Sequence, residues 1–292
     1  MPHCLCIGHG YSARAFARRL KGFGWQVSGT TRSPDRARQM EADGVHPIIL
    51  DSLDKEWRGL DEPFAMSDAV LVSAAPDEDG DPALNTGLLQ RAARSAPQWI
   101  GYLSTVGVYG NHDGAWVDET SECRPVSARS TRRVAAEKAW LAEASDTRQV
   151  HVFRLSGIYG PGRSPLKKVA RGEGRAIIKP GQVFNRIHVA DIAATLLASL
   201  KNPAPGRIYN VTDDEPAPPQ DVVNFAADLL GLPRPPQVPF EEAEMTEMGR
   251  SFYGENKRVR NLRIRNELGV DLAFPTYREG IGALWAAGRA AL

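Results

Sequence analysis

The chain has 292 residues, and its 36 lysines and arginines stand against 35 aspartates and glutamates, a formal net charge of +1. That balance excludes a polyanion-coating protein and gives no electrostatic reason to expect nucleic acid. With 42% hydrophobic and 24% charged residues the composition is that of a globular protein, which excludes disorder and coiled coil, and no run approaches the roughly 20 apolar residues that span a bilayer.

The first third repeats one rhythm, a short apolar run ending in small or polar residues and followed by a helix-like segment. His3–Ile7 reads as a strand, Tyr11–Phe23 as a helix, Trp25–Thr31 as a second strand and Ser33–Ala42 as a second helix. Ser33 caps that helix and Pro34 takes its first position. Val45–Leu50 is the third strand, Ala69–Ala74 the fourth, Pro82–Ala96 a helix and Trp99–Ser104 the fifth strand, before a long helix over Arg129–Ala144 and a strand over Val150–Leu155. Strand and helix alternating in this way require crossover connections, so the fold class is α/β, a doubly wound Rossmann-type parallel sheet with helices on both faces.

After Tyr159-Gly160-Pro161-Gly162 the pattern loosens, and nine of the 21 prolines fall between Pro203 and Pro239, which places a smaller lobe there. Asn185–Leu200, a strand into a helix, and Arg207–Val211, a strand, still read as parts of the main sheet layer. The expected organisation is therefore a dinucleotide-binding domain over residues 1–160 with returning segments at about 184–212, interleaved with a smaller C-terminal substrate lobe over 161–183 and 213–292. Ile281, Leu284 and Trp285 form the apolar face of a terminal helix and read as core. Cys4 and Cys6 alternate along the first strand and point to one face as small hydrophobes. With Cys123 they make an odd number without zinc-ligand spacing, so no metal is expected. The opening residues run into glycines and arginines where a signal peptide needs its apolar core, so the expected location is cytoplasmic.

The residues from Cys6 to Ala13 have the form GxGxxA between a strand and a helix. Gly8 permits the tight turn, Gly10 removes the side chain where backbone must approach phosphates, Tyr11 and Ser12 open the helix, and Ala13 lets helix and strand pack closely. An acidic residue closing the second strand would bond both ribose hydroxyls of NAD. That strand instead ends Gly29-Thr30-Thr31-Arg32, so Thr31 and Arg32 offer a hydroxyl and a guanidinium to a 2′-phosphate, which favours NADP(H) over NAD(H). Asp51, past the third strand, is placed to accept from the adenine amino group. Ser73, Ala74 and Ala75, after the fourth, are small enough to lie under the nicotinamide half.

These segments, with Tyr102–Thr105, Val108-Tyr109-Gly110, Ala136-Glu137, Arg154–Gly162, Arg186–Asp191 and Tyr209-Asn210-Val211, make the chain resemble the extended short-chain dehydrogenase/reductases, the group of sugar-nucleotide epimerases and dehydratases. The resemblance spans nearly the whole chain. It implies a Ser or Thr after strand five that holds a substrate oxygen, a Tyr acid/base, and a Lys four residues later that lowers the Tyr pKa and holds the ribose. Thr105 fits the first position. Counting back from Ala136-Glu137 puts Arg129 at the Tyr position and Arg133 at the Lys position, and arginine stays protonated. The departure is similar to an atypical subgroup of the same family that lacks the YxxxK pair.

Tyr109 and Tyr159 then stand as substitute phenols, and Tyr109 is preferred because it follows Thr105 on the loop after strand five, with packing as a structural aromatic as its alternative. His188 reads as a structural residue before the helix of Asp191. Arg133 keeps the lysine's hydrogen bonds to ribose. Arg124, Arg129, Arg132, Arg133, Arg163 and Arg186 form a basic group suited to an anionic small-molecule substrate, with Arg129 and Arg186 as its contacts. In extended members the arginine corresponding to Arg186 reaches a sugar-nucleotide phosphate. The resemblance also implies a homodimer through the long helices. Three readings remain open: an NADP(H)-dependent oxidoreductase or epimerase with a non-standard proton donor, a catalytically silent NADP(H)-binding sensor or regulatory protein, and a structural or scaffold protein that has kept the fold alone, which fits poorly with so complete a glycine motif and Arg32.

Overall fold

The computed structural model describes residues 1–51, 54, 56–92, 97–202 and 204–288. β1 (His3–Ile7) leads into α1 (Tyr11–Lys21), β2 (Gln26–Thr31) into α2 (Pro34–Ala42), and β3 (His46–Ile49) is followed by α3 (Asp61–Ala65) and β4 (Ala69–Val72). The Ser33 side chain accepts the Arg36 N–H at the start of α2, as an N-cap should. Next come α4 (Pro82–Asn85), α5 (Leu88–Arg91), β5 (Trp99–Thr105), the two-residue β6 (Trp116–Val117), α6 (Ala128–Ala142) and β7 (Gln149–Leu155). The single helix expected over Pro82–Ala96 is thus two short ones. Gly87 separates them at φ +69°, a left-handed conformation that ends an α-helix, and residues 93–96 lie outside the described residues.

The second half runs through β8 (Gly157–Tyr159), α7 (Pro165–Ala170), β9 (Ala176–Ile178), β10 (Arg186–His188), α8 (Val189–Lys201), β11 (Arg207–Val211) and α9 (Pro219–Leu230). It closes with β12 (Gln237–Pro239), α10 (Glu247–Phe252), β13 (Arg258–Val259), α11 (Leu262–Asn266) and α12 (Tyr277–Ala286). No helix among the described residues is long and apolar enough to cross a membrane.

Seven strands form one sheet in the order β11-β7-β5-β4-β1-β2-β3, and every pair is parallel. Both faces are covered, so the central β1 and β4 are apolar at successive positions rather than at alternate ones. Cys4 and Cys6 point into one core with Phe16, Leu71, Trp99 and Phe153. Leu5 and Ile7 point into the other, with Val70, Val72, Ile100 and Tyr102. The strand expected at residue 185 leaves this sheet. It forms as β10 and pairs with β8, Arg186 opposite Gly157, a close approach that glycine eases, since a Cβ there would stand 3.1 Å from the Asn185 carbonyl oxygen. β11 does return to the sheet, beside β7. Its outer edge is closed by side chains: Arg263 donates to the Ile208 carbonyl at 3.1 Å and Glu119 accepts the Asn210 N–H at 2.8 Å, which removes an open pairing edge.

A third core joins Tyr159, Leu166, Val169, Ala226, Tyr277, Ile281 and Leu284. Trp285, expected beside Ile281 and Leu284, is instead 42% exposed, because α12 turns it off the face that meets α9.

Candidate functional site

Strand order reverses between β1 and β4, and in open parallel sheets a ligand crevice opens at the carboxyl ends of the strands at that point. Gly8 lies there at φ +85°. Its N–H donates to Thr30 Oγ1 at 2.7 Å, and Ser73 Oγ donates to its carbonyl. Both Ser73 and Ala74 donate their N–H groups to the Ile7 carbonyl, at 2.9 and 3.2 Å. The ends of β1, β2 and β4 are thereby tied together. Gly10 caps α1 without any side-chain hydrogen bond, and the first turn carries no acidic residue. Open first-turn N–H groups beside a position without a side chain are what a pyrophosphate needs, so these residues fit a dinucleotide. Ala13 is fully buried and Ser12 nearly so. The Tyr11 hydroxyl donates to the Pro161 carbonyl at 3.0 Å, and the Arg163 guanidinium lies 5.9 Å from its ring centroid, so Tyr11 ties the phosphate loop to the chain leaving β8.

At the end of β2, Thr31 Oγ1 accepts the Ser33 N–H at 3.1 Å. Arg32 is exposed and makes no ion pair or hydrogen bond with another described residue. Asp51 and Ala75 are exposed, and Ser73 and Ala74 half-buried.

Thr105 Oγ1 accepts the Gly107 N–H at 3.1 Å and so caps the 3₁₀ turn Val106–Tyr109. Arg133 donates through Nη1 to the Tyr102 hydroxyl and to the Leu103 carbonyl, both at 2.9 Å. One end of its guanidinium is thus fixed at the end of β5, beside Thr105. Arg129 is exposed, with its guanidinium 5.5 Å from the Phe252 ring centroid and 4.0 Å from Met248 Sδ.

Tyr109 is a correction. It is fully buried, its hydroxyl donates to Asn210 Oδ1 at 2.8 Å and accepts from Arg154 Nη1 at 2.9 Å, and burial pushes its pKa up to about 12 despite the Arg154 guanidinium. A phenol with both roles filled in the core has no proton to exchange with a substrate. Tyr159 is likewise buried, donating to the Thr276 carbonyl at 3.3 Å. His188 caps α8 by accepting the Ala190 N–H at 3.2 Å, and burial lowers its pKa to about 4, which fits the structural reading.

The basic group does not converge as a whole. Arg124 pairs with Glu122 at 2.8 Å and Arg132 lies 3.9 Å from Glu78. Arg186 is held in the smaller lobe, Nη1 donating to the Phe184 and Ala217 carbonyls at 2.9 and 3.1 Å. Near it Asp213 is 1% exposed with Oδ2 unpartnered; burial pushes its pKa from 3.8 to about 8, opposed by Arg186. The folded state then binds more protons than the unfolded chain between these values, so Asp213 lowers stability as pH rises through that window. Asp213→Asn, neutral throughout, is expected to flatten that part of a urea-midpoint profile; an unaltered profile would contradict this.

Sequence reasoning missed the polar network that Tyr109 belongs to. Glu137 and Arg154 form a buried ion pair, and Ser104 Oγ donates to Glu137 Oε1. Each partner stood in a quoted motif, but only three dimensions show that they meet. Two cavities, of about 220 and 470 Å³, lie along the outer edge of β11, share Glu267 and contain none of the expected site residues.

Residues 5–212 match the model of the NAD dependent epimerase/dehydratase family. Protein YeeZ of Escherichia coli K12 is 29% identical over 285 residues, covering 94% of this chain and 97% of that protein. A conserved protein of unknown function from Silicibacter pomeroyi DSS has a solved structure that is 51% identical, with a TM-score of 0.89 over 98% of this chain and 99% of that one. The dTDP-glucose 4,6-dehydratase of Bacillus anthracis str. Ames, solved with NAD, shares the fold at 16% identity, with a TM-score of 0.78 over 99% of this chain and 97% of the other.

Proposed function

The chain belongs to the NAD dependent epimerase/dehydratase family, and from that membership we propose that it is an NADP(H)-dependent oxidoreductase or epimerase acting on a small anionic substrate in the cytoplasm. The phosphate preference rests on one observation. Arg32 stands at the end of β2, exposed and without a described partner, and no carboxylate closes that strand. A guanidinium there binds a 2′-phosphate bidentately, whereas a carboxylate would repel it. Within this reading Thr105 holds the substrate oxygen, the free nitrogens of Arg133 take the nicotinamide ribose, and Arg129 and Arg186 attract the anion.

Charge-assisted hydrogen bonds contribute about 1.5–3 kcal/mol. Arg32→Ala is therefore expected to weaken NADPH binding by roughly 10- to 100-fold while leaving NADH binding nearly unchanged, measured by calorimetric titration. Equal losses for both would remove the phosphate preference.

A second reading is favoured by Arg129 and Arg133, since two guanidiniums in place of a phenol and an ammonium suit a binding protein without turnover. As a redox sensor it would bind NADPH and NADP⁺ with clearly different affinities, because a ligand without preference between states shifts nothing. Equal affinities count against the sensor.

A further inference from the structure

We infer that Tyr102, a buried tyrosine of β5, is a positioning residue for the cofactor: its hydroxyl aims the free nitrogens of Arg133 at the ribose of a bound nicotinamide. The inference rests on the nicotinamide-dependent reading above.

Strand register places the pair. Ile7 of β1 lies opposite Val72 of β4, and Val72 opposite Tyr102 of β5. The residues one step further along, Gly8, Ser73 and Leu103, therefore stand level at the carboxyl ends of three adjacent strands. Arg133 donates to the Leu103 carbonyl, so its guanidinium sits at the height of the Gly8 turn, two strand spacings or roughly 10 Å across the sheet. A dinucleotide whose pyrophosphate meets the turn from Gly8 to Ala13 passes Ser73 and covers that distance with its nicotinamide half.

Tyr102 is itself firmly held. It is fully buried between β4 and β7, opposite Val72 and Val152, and its ring stacks on Trp140 of α6 with centroids 5.9 Å apart. The guanidinium carbon of Arg133 lies 5.5 Å from the centre of that ring. Arg133 Nη1 carries two hydrogens, and the Tyr102 hydroxyl and the Leu103 carbonyl each accept from it at 2.9 Å. Two fixed acceptors on one nitrogen set the plane and the direction of the fork. Nε and Nη2 make no hydrogen bond with another described residue, and Arg133 is only half-buried, so its remaining N–H groups are left for a ligand. An ammonium is a point charge on a flexible stem and needs no such support, whereas a planar guanidinium binds well only when it is aimed. An arginine at the family's lysine position therefore gains from a hydroxyl behind it, and β5 supplies one.

Tyr102→Phe keeps the ring, its stacking on Trp140 and nearly all of its volume, and removes only the acceptor. It is expected to weaken NADP⁺ binding by about tenfold, the worth of one charge-assisted hydrogen bond. Adenosine 2′,5′-bisphosphate, which has the phosphate-bearing half but no nicotinamide ribose, is expected to bind as it does to the wild type. Calorimetric titration of the intact protein reads both. A damaged fold would weaken the two ligands alike, so equal losses, or no loss for NADP⁺, overturn the role of Tyr102 and leave the proposed function standing. Because Tyr102 acts through Arg133, adding Tyr102→Phe to Arg133→Ala should bring no further loss of NADP⁺ affinity; additive losses overturn the inference. Absence of NADP⁺ binding to the wild-type protein overturns the proposed function and this inference with it.

Discussion

Glu137→Ala is expected to cost about 3–5 kcal/mol of folding stability, the usual penalty for leaving one half of a buried ion pair behind. The side chains of Glu137 and Arg154 are 3% and 5% exposed. Arg154 meets Glu137 with Nε at 3.1–3.2 Å and Nη2 at 2.7 Å, so α6 is bolted to β7 by a bidentate contact. Ser104 adds β5 to the same carboxylate, and Tyr109 carries the chain of contacts on to Asn210 in β11. Removing the carboxylate strands a guanidinium in the core and leaves the Ser104 hydroxyl without its acceptor. α6 also bears Arg129 and Arg133, so ligand binding should fall along with stability. Urea denaturation measures the loss, and a change below about 1 kcal/mol, the value of an exposed pair, would show that the network is not closed to water. Replacing Glu137 and Arg154 together by apolar residues of similar volume should cost much less than either single change.

Two glycines of the phosphate loop should respond differently to the same added methyl. At Gly8 the backbone has φ +85°, and a Cβ would stand 3.0 Å from Ser73 Oγ and 3.1 Å from the Ala74 nitrogen. Gly8→Ala is expected to cost about 1–3 kcal/mol of stability through backbone strain, and to displace the N–H groups proposed to meet a pyrophosphate. Losing one charge-assisted hydrogen bond weakens binding roughly 10- to 100-fold. At Gly10 nothing lies within 4 Å of an added Cβ, and its φ of −85° suits any residue. Gly10→Ala should therefore leave the urea midpoint in place and still weaken dinucleotide binding, since the methyl occupies the space that the proposed ligand would fill. If Gly10→Ala left affinity untouched, the ligand would not approach the backbone there.

The N-terminal βαβ unit was legible because its signals are local. His3–Ile7 is a continuous apolar run, Ser33 and Pro34 mark a helix start within two residues, and GxGxxA needs only its own neighbours. What escaped depends on partners far along the chain. Tyr109 follows Thr105 on the expected loop, but its hydroxyl is claimed by Asn210 and Arg154, from two other strands. Residues 186–188 read correctly as a strand, yet they pair with β8, far along the fold from the main sheet, and nothing local announces that partner. Helical periodicity places Trp285 beside Ile281 but cannot say how wide the buried stripe on α12 is.

The proposed phosphate-selecting dinucleotide site runs from Gly8 to Arg32. Calorimetric titration of the cofactor-stripped protein with NADPH, NADP⁺, NADH and NAD⁺ in turn tests it most directly. Binding is expected, with the phosphorylated pair tighter by about tenfold or more, the worth of a charge-assisted contact. Binding of none of the four, or tighter binding of NADH and NAD⁺, would contradict it.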